Sequence, residues 1–160
     1  MDAPLHHIDK SYGVDKLPLE KFFGKAQFVE ILKKENEMIT VEDLKKVKLM
    51  KDYILIIRTG WEKNKYKDNY FTNFPYFAPE CADYLIEKGI KAIGADIPSV
   101  DGPNQNAEFH KKMLKAIKPI FEALINLKEL VGQNCLFYGL PLNLENADGS
   151  PIRAIAVQIN

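Results

Sequence analysis

Three short runs carry side chains able to do chemistry: Asp2-Ala3-Pro4-Leu5-His6, the stretch around His110, and Glu122 within Pro119-Ile120-Phe121-Glu122-Ala123-Leu124. In an Asp-x-Pro-x-His run, proline fixes its own φ and pushes the preceding residue out of the helical region. Asp2 and His6 therefore sit on a stiff extended or turn segment, from which a carboxylate and an imidazole can converge on one point. Taken alone, such a pair at a chain end is expected to be solvated, because termini are usually poorly ordered. His110 is more informative. It shares a helical stripe with Met113, Leu114 and Ile117, the face that should point inward. An inward histidine is most often a core residue that has found a hydrogen-bond partner, and Glu122 is the natural one. A carboxylate in so apolar a run is costly to bury unless it is paired or bound to metal.

The elements that must position these groups alternate between strand-like and helix-like periods, which argues for an α/β fold. Residues Gln27 to Leu32 and Tyr53 to Thr59 read as short buried strands. Between them Thr40 and Asp43 form a capping-box pattern opening a helix to about Val47. Pro79-Glu80 opens a second helix, which should stop at Gly89. Lys91 to Ala95 reads as a strand, followed by the turn-rich segment from Asp96 to Pro103. A third helix is expected from about Asn106 to Ile117, closed by Pro119. Leu136 to Glu145 and Ile152 to Ile159 read as the two long strands of a terminal hairpin around Asp148-Gly149, a strong turn signal. Trp61 to Pro75 has weak periodicity and many aromatics, the mark of a long loop that serves as a binding loop or lid. The absence of repeats and of linker composition gives one domain, residues 1–160.

Composition removes several functional classes. The chain has 22 basic and 22 acidic side chains, so no net field draws it to nucleic acid or to an anionic membrane. Its longest apolar runs fall well short of the roughly 20 residues that cross a bilayer. Cys81 and Cys135 stand alone, without metal-type or redox-type spacing, and read as buried small hydrophobes in a reducing cytoplasm. A nucleotide-binding reading fails because Gly94-Ala95-Asp96 lacks the glycine spacing of a phosphate loop.

The opening run resembles the second half of H-x-G-T-H-x-D-x-P-x-H, the signature of the cyclase/kynurenine formamidase family of metal-dependent hydrolases. Asp2, Pro4 and His6 take its aspartate, proline and last histidine. The likeness continues through Leu17-Pro18-Leu19-Glu20, Leu55-Ile-Ile-Arg-Thr-Gly-Trp61, Gly94-Ala-Asp-Ile-Pro-Ser-Val-Asp101, Leu140-Pro-Leu and Asp148-Gly-Ser-Pro-Ile-Arg-Ala154. It implies a mixed sheet with flanking helices, similar to the family's swivelling β/β/α fold, and a homodimer or homotetramer.

By the same resemblance Asp2, His110 and Glu122 are metal ligands, and His6 is the acid/base group. Zinc suits nitrogen and carboxylate ligands, and manganese is also accepted at carboxylate-rich sites. The implied substrate is a small amide, an aryl formamide such as N-formylkynurenine of tryptophan catabolism, or a cyclic amide or imide. His7 is expected to point away from His6 as a surface residue. Ser99, Asp101 and Arg153 are expected near the core of the fold in structural or ligand-supporting roles.

The H-x-G-T-H half of the motif has no counterpart here, since the chain opens at the motif's middle. Two ligands of one metal position are therefore missing, and without an upstream segment a sheet edge should stand open. A non-catalytic member that keeps the fold for binding or assembly is the alternative reading, and it predicts no stoichiometric metal.

Overall fold

Ile54-Leu55-Ile56-Ile57 is apolar at every position because it is buried from both sides. A computed structural model describes residues 1–159 and places this run in β3 (Ile54–Arg58), at the centre of a sheet. Side chains alternate across a strand. Leu55 and Ile57 pack against the helices, Ile54 and Ile56 against the opposite face, and none is more than 1% exposed.

The sheet has six strands in the order β6 (Ile120–Phe121), β5 (Ala92–Ala95), β3, β1 (Phe23–Glu30), β7 (Asn134–Tyr138) and β8 (Ile155–Gln158). The first four run parallel, β7 is antiparallel to β1, and β8 is antiparallel to β7. A two-residue parallel ribbon, β2 (Met38–Ile39) with β4 (Tyr76–Phe77), stands apart. This is the expected α/β architecture, a mixed sheet flanked by helices.

Helices α1 (Val41–Lys45), α2 (Glu80–Glu87) and α3 (Glu108–Lys115) contribute Leu44, Leu85, Phe109 and Met113 to one core. The other face is covered by irregular chain, through Val14, Leu17, Phe22, Leu124 and Leu127. The capping box at Thr40 forms as read: Thr40 Oγ1 accepts the Asp43 N–H, and the Asp43 carboxylate accepts the Thr40 N–H. The helix closes two residues early, because the Val47 N–H bonds back to Leu44 O in a tighter turn. Gly89 ends α2 as expected, at φ 70°.

Three boundaries move for tertiary reasons. Strand β1 begins at Phe23, not Gln27, since its antiparallel register with β7 runs back to Phe23 opposite Tyr138. Helix α3 begins at Glu108, because Asn106 and Ala107 take left-handed φ values of 51° and 57°. The terminal hairpin exists, but its strands are short, and 139–154 is mostly a long connection with one bridge, Pro141 to Ile152. Pro141 and Pro151 offer no N–H to a ladder. Instead the connection docks on residues 1–3.

Candidate metal centre

The N-terminal residues are tied down from two sides. The Asp2 N–H donates to Ile120 O at 3.0 Å, the Ala3 N–H to Asp148 O at 2.8 Å, and the Ser150 N–H to Met1 O at 3.0 Å. Asp2 thus bridges to both β6 and Gly149, and Ala3 is fully buried between them. The expectation of a solvated terminal carboxylate fails, since the Asp2 side chain is only 13% exposed. Pairing with Ile120 sets Asp2 beside Glu122, two residues further along the same chain.

His110 comes from the other direction, on the first turns of α3. Its Nε2 lies 3.1 Å from Glu122 Oε1 and 3.5 Å from Asp2 Oδ2. Its Nδ1 lies 2.6 Å from Asp101 Oδ2. Asp101 also accepts the backbone N–H groups of Phe109 and His110, both at 2.9 Å, so one carboxylate caps α3 and orients the imidazole. A carboxylate on one ring nitrogen commonly fixes the other toward a metal. These contacts are what either a structural or a ligand-supporting role for Asp101, the roles expected, would require. Ser99 is half-buried beside a cavity, whereas Arg153 is exposed at a surface recess, away from the core it was expected to lie near.

The electrostatics are unbalanced in a telling direction. Three carboxylates, Asp2, Asp101 and Glu122, face one imidazole. Burial alone would lower the His110 pKa, but Asp101, then Asp2 and Glu122, push it up to about 11. Burial, aided by the Asp2 charge, pushes the Glu122 carboxyl up. Asp2 Oδ2 is buried and has no hydrogen-bond partner, a costly state for a carboxylate oxygen. A divalent cation answers each of these conditions at once. One donor atom each from Asp2, His110 and Glu122 lie within 4.8 Å of one another. Ligands bound at about 2.1 Å stand roughly 3.0–3.5 Å apart around one ion. The residues present fit such an ion, with the proton on His110 as its competitor.

His6 sits next to this cluster, its ring centroid 6.1 Å from that of His110. Its Nδ1 lies 2.8 Å from Asp148 Oδ2 in the hairpin connection. Pro4 to His6 form a turn of 3-10 helix instead of continuing extended. That turn corrects the reading of His7. Its ring packs 4.4 Å from His6 and 4.8 Å, edge-on, from His110. Burial, with His110 and His6 nearby, lowers its pKa. Sequence reasoning passed over His7 because extended geometry turns neighbours apart, and passed over Asp148 because Asp-Gly reads as a turn former.

A cavity of about 570 Å3 opens beside His110, lined by His7, Phe71, Phe74, Ser99 and Lys111 among others. Its aromatic wall comes from the expected long loop, which starts in a short 3-10 turn, Trp61–Asn64. Asp96, fully buried at the end of β5, holds that turn. Its carboxylate accepts the Thr59 N–H and hydroxyl, each at 2.7 Å, and the Gly60 N–H at 2.8 Å. The Trp61 indole N–H then donates to Tyr70 O at 3.1 Å, anchoring the loop's far side. Burial, then Asp96 and Glu122, push the Tyr70 phenol up to about 12, so it stays protonated.

This architecture is found among hydrolases of known structure. Isatin hydrolase A from Ralstonia solanacearum superposes with a TM-score of 0.85 at 23% identity, over 97% of this chain and 69% of that one, a likeness of fold. A potential metal-dependent hydrolase with cyclase activity superposes at 0.82 with 25% identity, over 96% of this chain and 74% of that one. The chain belongs to the cyclase family: residues 1–102 match the family model described as "Putative cyclase". An uncharacterised protein of Methanocaldococcus jannaschii is 38% identical over 128 residues, 79% of this chain and 66% of that protein. Kynurenine formamidase of Bacillus thuringiensis is 32% identical over 158 residues, 97% of this chain and 72% of the enzyme. Among the described residues, no helix is long and apolar enough to cross a membrane.

Proposed function

We propose that this chain carries the catalytic apparatus of a metal-dependent hydrolase that opens an amide-type C–N bond. The substrate class is an aryl formamide such as N-formylkynurenine, or a related cyclic amide. The observation that carries the reading is the convergence of Asp2, His110 and Glu122, with Asp2 Oδ2 buried and without a hydrogen bond. These three residues would hold zinc or manganese. A divalent ion there supplies polarisation of the acyl oxygen and a water whose pKa falls to about 7.

The rest of the work falls to the chain itself. His6 takes the proton of the attacking water and returns it to the leaving nitrogen, the general acid/base role that imidazole most often fills. Asp101 keeps the His110 ring in register with Asp2 and Glu122. Phe71 and Phe74 give the neighbouring cavity an apolar wall suited to an aromatic ring. The exposed Ile155 and Val157 of edge strand β8 support the accompanying expectation of a homodimer or homotetramer.

The test is hydrolysis of N-formylkynurenine by the purified protein with zinc or manganese added. Turnover that His6→Ala lowers by about 100-fold or more is the expected result. A protein that binds stoichiometric metal yet turns over no member of a panel of formamides and lactams would falsify the proposal.

A further inference from the structure

The contact between His6 and Asp148 joins residues 142 positions apart, and no local signal accounts for it. The connection carrying Asp148 is stitched to the N-terminal segment along its length. Asp148 O accepts the Ala3 N–H, Ala147 O accepts the Val14 N–H at 2.9 Å, and the Asn146 N–H donates to Asp15 Oδ1 at 3.0 Å. The N-terminal ammonium of Met1 donates to Ser150 O at 3.0 Å. His6 and Asp148 therefore meet through two backbones locked to each other.

We infer that Asp148 is a positioning residue for His6, fixing its ring and holding the imidazole proton on Nδ1 so that Nε2 is the proton-accepting nitrogen. An ionised carboxylate only accepts hydrogen bonds, so the Nδ1 in contact with it must donate. In a neutral imidazole that leaves the lone pair on Nε2, on the far side of the ring from Asp148. The 2.8 Å separation lies in the range of charge-assisted bonds. The bond to His6 holds the Asp148 carboxyl below the usual carboxylate range, so it is ionised at neutral pH. Stability does not explain the pair. Its side chains are 38% and 61% exposed, and exposed ion pairs contribute little to folding. Its consequence is orientation, at a ring 6.1 Å from His110.

The catalytic meaning of this arrangement rests on the acid/base role proposed for His6, whereas the placement of the proton does not. Long-range proton–nitrogen correlation NMR on the full chain at about pH 8, where an ordinary imidazole is neutral, reads that placement directly. The chain has 3 histidines, and a His6→Gln sample assigns the ring in question. The expected spectrum has His6 protonated at Nδ1 and bare at Nε2, with that preference lost in Asp148→Asn. In the hydrolysis assay Asp148→Asn lowers kcat by about 10- to 100-fold, as loss of an orienting partner commonly does. KM stays within about twofold, the thermal midpoint barely moves, and Asp148→Glu recovers part of the rate. A wild-type His6 protonated at Nε2 overturns the inference, as does an Asp148→Asn protein with unchanged tautomer and kcat. Should no formamide be hydrolysed even by the wild type, the activity reading fails while the spectrum still decides where Asp148 holds the proton.

Discussion

Asp101→Asn separates two jobs that one carboxylate performs. Oδ1 accepts the Phe109 N–H at 2.9 Å, while Oδ2 accepts the His110 N–H at 2.9 Å and faces His110 Nδ1 at 2.6 Å. The side chain is 6% exposed, so water cannot replace a lost partner easily. Burial would push the Asp101 carboxyl up, yet the bonds to His110 and Phe109 bring it below its ordinary value. An amide keeps one acceptor and sets a donor against a donor at the other position. Whichever way it turns, at least one buried N–H is left unpaired, which costs about 1–3 kcal/mol of stability. The imidazole also loses the charge that orients it. Zinc affinity should then fall about 10- to 100-fold, or roughly 1.4–2.7 kcal/mol. Competition against a chromophoric chelator measures the second effect, and urea denaturation of the metal-free protein the first. His110→Gln is the reference for complete loss of the site. If Asp101→Asn loses stability but binds zinc as the wild type does, the carboxylate only caps α3, and the argument from the His110 ring is wrong.

Two further outcomes follow from buried or capped carboxylates. Asp96→Ala strands the Thr59 and Gly60 N–H groups at a fully buried position, for an expected loss of about 2–4 kcal/mol in urea denaturation; a loss below about 1 kcal/mol would show the turn is held by other contacts. Burial alone would raise Asp43, but the Thr40 N–H and the Lys33 ammonium outweigh it and hold the carboxyl well below its ordinary 3.8. A depressed acid contributes stability above its unfolded pKa and loses it as pH falls through the folded one. Asp43→Ala should therefore cost about 1–2 kcal/mol at neutral pH. The gap to wild type should narrow progressively below pH 3.8, and a gap that persists undiminished in strong acid would contradict the assignment.

The short-range signals were readable in the chain. The Thr40–Asp43 box, Pro79 before α2, Gly89 after it and the apolar run of β3 each depend on residues within a turn or a strand of one another. The grouping of Asp2, His110 and Glu122 came from the family resemblance, since the residues alone read Asp2 as a solvated terminal group and His110 as a core histidine partnered by Glu122. What could not be read was how these parts meet. Asp2 reaches Glu122 because its backbone pairs with Ile120, and His110 reaches both because α3 packs behind β6. The 3-10 turn at Pro4–His6 swings His7 against His110, and the docked connection delivers Asp148 to His6. Except for His110 with Glu122, these contacts join segments more than a hundred residues apart. They depend on the register of strands and the path of loops, which no short window of sequence encodes; the types of the reacting groups were written locally, and their distances were set by the folded backbone.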